Sequence, residues 1–274
     1  MHFIQTNSGR ECIDNKLTIL TQIIIHQTSY NTLVMQNAIN SRHSSRGLFD
    51  PAKLVPEEHL LQILESARWS PTAHNMQNFE ILILDDRNLI NRIADFPRET
   101  SMSFIWENYY QLSATEEELK QRKTGVLGSS FPESWRKPEL FEQAKTEAEG
   151  NDFLTKQLKS SPMLGLVLYD PRRRAPASEG DFLGIMSLGC VLENIWLTAS
   201  ELGIDLHVIS SLSEESVEQN IKNLTGIPEH LRIAISFRLG YALHPGDTIR
   251  VRKDIGDFVY HNRYDIKYKI NNEQ

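Results

Sequence analysis

Six consecutive residues, Ser41-Arg42-His43-Ser44-Ser45-Arg46, place two guanidiniums, an imidazole and serine hydroxyls side by side. Such a set suits a phosphate. Arginine presents a planar fork of donors that matches phosphate oxygens, and serine adds neutral hydrogen bonds; each charge-assisted bond contributes roughly 1.5–3 kcal/mol. The same residues also read as a solvated turn, or as charge capping the C-terminus of a helix. The rest of the chain tips the balance toward the phosphate.

Other catalytic patterns are missing from the sequence. It has no G-x-G-x-x-G, no G-x-x-x-x-G-K, no G-x-S-x-G elbow and no H-E-x-x-H helix, and its nine histidines are scattered. No residue is nominated as nucleophile, general acid or base, and no metal ligand set is expected. A phosphate-type cluster without these groups points to a bound cofactor that carries the chemistry.

The elements that must hold the cluster follow from periodicity. Leu33, Val34, Asn37, Ala38 and Ile39 predict a helix over 30–41 that delivers the chain to Arg42. Pro56, Glu57 and Glu58 open a second helix, whose Leu60, Ile63, Leu64 and Ala67 recur at i, i+3, i+4 and i+7 before Pro71 stops it. Strands are expected at 79–84, closed by an Asp85-Asp86 turn, and at 163–169, 204–209 and 231–239. Helix-like stretches at 114–123 and 139–149 fall in a charged insert over 97–159. Its Phe104, Trp106, Tyr109, Tyr110, Phe131 and Trp135 read first as local core and second as pocket wall. Residues 181–202 are apolar almost all round, so this helix must be buried on most sides with help from a partner subunit, and Cys190 within it reads as a core residue. Ser213 is expected to cap a helix that Gly226 ends. Arg172-Arg173-Arg174 reads as a solvated loop, with the phosphate of a nicotinamide cofactor as the alternative. Helices and strands mix without regular alternation, which favours an α+β layer architecture.

Size and charge bound the function. A chain of 274 residues with 40% hydrophobic content can bury a large core. A net charge of −7 argues against a nucleic-acid partner, which would demand a basic surface. Cys12 and Cys190 are too few for a disulfide framework, so a reducing cytoplasm is the expected setting. The stretch 17–25 is interrupted by Thr and Gln and is too short to span a membrane, and no later membrane span is expected.

Four segments together resemble the nitroreductase family of flavin mononucleotide (FMN) enzymes. They are Arg42-His43-Ser44-Ser45-Arg46; Ser70-Pro71-Thr72-Ala73-His74-Asn75-Met76-Gln77-Asn78-Phe79; the long helix running into Leu202-Gly203-Ile204 and Ser210-Ser211; and Gly240-Tyr241 with Arg250-Val251-Arg252-Lys253. The resemblance implies an α+β, nitroreductase-like fold: a central, mainly antiparallel sheet packed by helices, with a long central helix at a homodimer interface. Residues 1–29 would be an N-terminal extension, 30–265 the FMN-binding domain with 97–159 as a helical insert or cover, and 266–274 a tail.

It also implies residue roles. Arg42 and Ser44, with Arg250 or Arg252, would hold the flavin phosphate or ribityl chain, flanked by His43 and Arg46. Asn75 and Gln77 would offer amides to the ring edge or order the loop that does so. Pro71, Thr72 and Ala73 would reach the flavin of the partner subunit, and a backbone N–H of Ser210 or Ser211 would face flavin N5. One departure from the family is Asn78-Phe79, where relatives often continue with Pro-Trp. The implied activity is ping-pong hydride transfer from NADH or NADPH, through FMN, to a small electron-poor acceptor such as a nitroaromatic, quinone or enone. Alternatives are a branch that dehalogenates substrates or degrades its own flavin, and a flavin-storing or flavin-sensing protein whose insert closes the nicotinamide face.

Overall fold

A computed structural model describes residues 32–98, 106, 112–131, 133–140, 142–143, 152–244 and 249–269. The expected extension at 1–29, most of the helix expected at 139–149, and Phe104, Tyr109 and Tyr110 lie outside the described residues.

Four strands form the central sheet: β1 (Glu80–Leu84), β4 (Met163–Tyr169), β5 (Asp205–Ile209) and β6 (Arg232–Gly240). Their order is β1-β4-β6-β5 and every neighbouring pair is antiparallel, as expected. β4 begins where its hydrophobic run does, whereas β1, β5 and β6 each begin one residue later, because Phe79, Ile204 and Leu231 pack but do not pair. A register shift beside Val167 and Leu168 accommodates the longer β6 against β4. Gly165 is required there, since a Cβ would come within 2.2 Å of the Phe237 ring that crosses it.

Both faces of the sheet are covered. Leu164, Leu166 and Leu168 of β4 point into one core with Ile90, Ile93, Leu158, Val217 and Ile221, which come from helices α3 (Arg87–Ala94), α5 (Asp152–Lys159) and α7 (Glu215–Thr225). Met163 and Val167 point into the other, against Ile63 and Ala67 of α2 (Glu57–Arg68) and Leu188, Val191, Ile195 and Ala199 of the long helix α6 (Phe182–Glu201). Each fully buried aliphatic side chain contributes about 1.5–3 kcal/mol. The period-two alternation of β4 therefore feeds two cores at once.

Local corrections have local causes. Asp86 is more than a turn residue: its carboxylate accepts from the N–H groups of Asn88 and Leu89, at 2.7 and 3.2 Å, and so starts α3. Ser213 does not cap α7; the cap position belongs to Glu214, and the Ser213 hydroxyl is buried without a partner. Gly226 does end α7, with φ of 75°. In the insert, α4 (Glu116–Arg122) carries a Thr115/Glu118 capping box and lies between two short parallel strands, β2 (Ser113–Ala114) and β3 (Val126–Leu127). Trp135 is buried edge-on against Phe153, with ring centres 6.0 Å apart, in keeping with local core. Arg172, Arg173 and Arg174 are exposed, and Arg172 donates twice to Asp170.

Within the protomer the long helix is buried along one side. Gly184, Ser187, Leu188, Val191, Ile195 and Ala199 form one buried stripe, while Phe182, Ile185 and Met186 on the opposite side stay 46–63% exposed. Cys190 falls on that bare side, one turn beyond Met186, and is exposed within the protomer instead of sitting in the core. By length and composition alone α6 would also cross a membrane, contrary to the sequence expectation, but its buried stripe packs on the sheet beside α2. A helix at 32–41, α1, leaves Leu33, Val34, Met35 and Ile39 exposed as well.

Candidate functional site

The chain leaves α1 and crosses the Asp205 end of the sheet as an extended loop, residues 42–47. Buried partners fix its path. The Ser45 N–H donates to the Leu206 carbonyl at 3.0 Å and the Ser45 hydroxyl to Asp205 Oδ1. Asp205 Oδ2 also accepts from the Ala242 N–H at 2.9 Å, and His43 Nε2 lies 3.8 Å from Oδ1. One carboxylate thus ties the 42–47 loop to the chain leaving β6. The Trp196 indole of α6 donates to the His43 carbonyl at 3.0 Å, and the Arg42 guanidinium stacks 4.5 Å above that indole ring, with Nε 3.2 Å from Glu193.

Sequence reasoning missed Arg238, the largest fully buried side chain. It stands on β6 directly opposite His207 of β5, and its Nε donates to His207 Nδ1 at 3.1 Å. Its other nitrogens donate to the carbonyls of Gln157 at 2.8 Å, Ser45 at 3.2 Å and Gly47. Burial pushes its pKa down to about 9, so it remains cationic at neutral pH. Burial, then the charges of Arg238 and Arg46, hold His207 well below its ordinary pKa. His207 is therefore neutral with its proton on Nε2, the tautomer that lets Nδ1 accept. The available signal was an arginine enclosed in the largely apolar stretch 233–239, where an arginine is almost never buried without a partner.

Above this floor opens a cavity of about 1080 Å³. Arg42, His43, Ser44 and Arg46 border it from one side and Arg250 and Arg252 from another, so cations some 200 residues apart in the chain meet. Both C-terminal arginines line it, leaving the choice between them as open as in the sequence. Gly125, Val126, Leu127 and Ser129 of the insert form a further wall, and Lys123 pairs with Asp254 beside it. Four guanidiniums and a serine hydroxyl around a cavity of this size fit the phosphate end of FMN in both charge and donor type.

The remaining candidate residues lie elsewhere. Ser210 and Ser211 follow the far end of β5, five residues and about 17 Å of strand from Asp205. Pro71, Thr72, Ala73, Asn75 and Gln77 do not border the cavity. Their loop packs on α6, with the Ala73 N–H donating to the Ser187 hydroxyl at 2.9 Å. Thr72 Oγ1 accepts from the Gln77 N–H at 3.0 Å, and Gln77 Nε2 donates to Asn75 Oδ1 at 3.2 Å. His74, Asn75 and Gln77 have φ of 51°, 52° and 46°, a left-handed conformation costly for residues with a Cβ. The Asn78 side chain is 4% exposed, and neither end of its amide has a partner among the described residues.

No curated protein matches this chain. Solved structures that it resembles include an FMN-dependent nitroreductase from Clostridium difficile R20291, with 16% identity, TM-score 0.50, and 83% of this chain and 99% of that chain covered. A nitroreductase-like family protein from Bacillus cereus aligns with 17% identity and TM-score 0.52, covering 82% and 94% of the two chains. A nitroreductase family protein from Clostridium novyi NT shares 17% identity and TM-score 0.50, with 85% and 96% covered. At such identities these likenesses speak for the fold. The family model described as Nitroreductase family matches residues 39–241, some three quarters of the sequence and all of the central sheet, and this chain belongs to that family.

Proposed function

We propose that the chain is an FMN-dependent oxidoreductase that works as a homodimer and takes reducing equivalents from NADH or NADPH. The observation that carries the reading is the meeting of Arg42, Ser44, Arg46, Arg250 and Arg252 around one cavity in a nitroreductase-family chain. Arg42, Arg46 and one of the two C-terminal arginines hold the phosphate, and Ser44 adds a neutral donor. FMN bound there supplies reversible hydride transfer at N5 between a nicotinamide and an electron-poor acceptor such as a nitroaromatic, quinone or enone.

The protein's own part is binding, orientation and exclusion of water. A backbone N–H of Ser210 or Ser211 serves as a fixed donor at the ring without titrating. Asn75 and Gln77 bring amides to the ring edge from the loop that begins at Pro71, Thr72 and Ala73, and that loop serves the partner's site. Support for the dimer comes from the bare faces of α6 and α1, whose Phe182, Ile185, Met186, Leu33 and Met35 form exposed apolar surface of the kind that marks an interface. A reducing cytoplasm is the proposed setting, supported by a sequence with only two cysteines.

The alternative, a flavin-storing or flavin-sensing protein whose insert closes the nicotinamide face, predicts a bound flavin that neither NADH nor NADPH bleaches. Freshly purified protein should be yellow and dimeric, and stopped-flow mixing with NADH or NADPH should bleach the flavin absorbance within seconds. Colourless protein that takes up no FMN on reconstitution would refute the proposal.

A further inference from the structure

Arg238 lies beneath the phosphate cavity without touching it, and the reaction proposed above gives it no part. Its surroundings are unusual for a buried cation. The guanidinium is 0% exposed, and among the described residues no carboxylate lies in contact with it. Its hydrogen-bond partners are instead backbone carbonyls of Ser45, Gly47 and Gln157, the Ser160 hydroxyl and neutral His207, with the Phe49 ring centre 4.1 Å from Cζ. A buried charge with no carboxylate in contact is costly; Asp205, held by the Ser45 hydroxyl and the Ala242 N–H, offsets part of that cost through space, and a dianion across the loop would offset more.

We infer that Arg238 is the positioning residue of the phosphate loop, holding the Ser45 and Gly47 carbonyls inward while its charge favours a dianion on the loop's other side. This rests on reading the cavity as a phosphate site. The carbonyl and N–H of a trans peptide point in opposite directions, so turning two carbonyls toward Arg238 turns the opposite edges of those peptides away from it. Ser44 and Arg46, which flank Ser45, are thereby held at the cavity wall. Asp205, half-buried, anchors the same loop from the Ser45 hydroxyl, so Arg238 and Asp205 fix it from two directions. Arginine is needed because one planar fork reaches both carbonyls and the imidazole at once.

The test compares FMN with riboflavin, which lacks the phosphate, by titrating apoprotein and following flavin fluorescence. Wild type should prefer FMN strongly. Arg238→Met should weaken FMN roughly thirtyfold and leave riboflavin within about threefold. Arg238→Lys, which keeps the charge but loses the fork, should fall in between. Parallel losses for both ligands would reveal a merely structural role and overturn the inference, as would an FMN preference that survives in Arg238→Met. A wild type that binds the two flavins equally would sink the phosphate reading itself, and this inference with it. Should neither variant fold, His207→Leu removes the imidazole that orients Arg238 Nε and should cost FMN several-fold and riboflavin nothing; an unchanged FMN affinity there would also overturn the inference.

Discussion

Beneath the arginine cavity, Arg238 donates to the Ser45 and Gly47 carbonyls, while Asp205 accepts from the Ser45 hydroxyl and the Ala242 N–H. The loop from Ser70 to Asn78 is built the opposite way. It is held mainly by two hydroxyls, those of Thr72 and Ser187, and carries three non-glycine residues at positive φ together with a buried amide that has no partner among the described residues. The first region rests on buried partners within the protomer. The second holds three residues in a conformation that costs about 1–3 kcal/mol each. The contrast fits the proposal that the phosphate end is assembled within one chain while the ring-facing loop finishes its contacts on a partner.

The sharpest way to break this contrast is Asp205→Ala. It strips the acceptor from both the Ser45 hydroxyl and the Ala242 N–H and should lower stability by about 2–4 kcal/mol, measured by urea denaturation of the apoprotein. A loss below about 1 kcal/mol would show that the floor is not the rigid half of the pair. Next in size, Arg42→Ala with Ser44→Ala should weaken FMN by roughly ten- to hundredfold while the dimer persists. Full flavin occupancy of this double variant after extensive dialysis would remove those two residues from the site.

The third test is pH. His207 is neutral in the fold, whereas in the unfolded chain it titrates near 6.5, so below that pH the unfolded state binds the extra proton. Stability is fully present above pH 6.5 and falls as the pH drops, with a limiting slope of about 1.4 kcal/mol per unit. His207→Gln should flatten the melting temperature between about pH 6.5 and 5, and an unaltered slope would mean that other groups control it. The smallest effect is expected in the strained loop. Gln77→Gly relieves a φ of 46° and should raise stability by about 0.5–1 kcal/mol while slowing turnover with NADH or NADPH. If stability falls instead, the loop is not the strained half.

Much of this arrangement was legible in the sequence. The alternation and apolar runs of β1, β4, β5 and β6 located the sheet to within one residue at their N-terminal ends, because a strand buried on both faces must be apolar along its length. Arg42, Ser44 and Arg46 were recognisable as a cluster of phosphate-type donors, and Arg250 and Arg252 through the family resemblance. Arg238 was hidden by the same logic, since one charge in the interior of a largely apolar strand does not alter its period. Cys190 was misplaced because a helix apolar all round does not reveal which side its own chain covers. Asp86 was taken for a turn residue although its spacing to Asn88 and Leu89 is that of a helix cap.

Composition and pattern by themselves determined the layer architecture, the strands and the residue types able to bind a phosphate, since these follow from burial and donor chemistry that act locally. Only the tertiary structure decided that residues 42–46 and 250–252 share a cavity and that a buried arginine, with Asp205 beside it, holds its floor. It also decided which stripe of α6 is left bare. Those outcomes depend on the register of β5 against β6, which sets Arg238 beside His207 and Asp205 beside Gly240, a long-range pairing that no local window of the chain encodes.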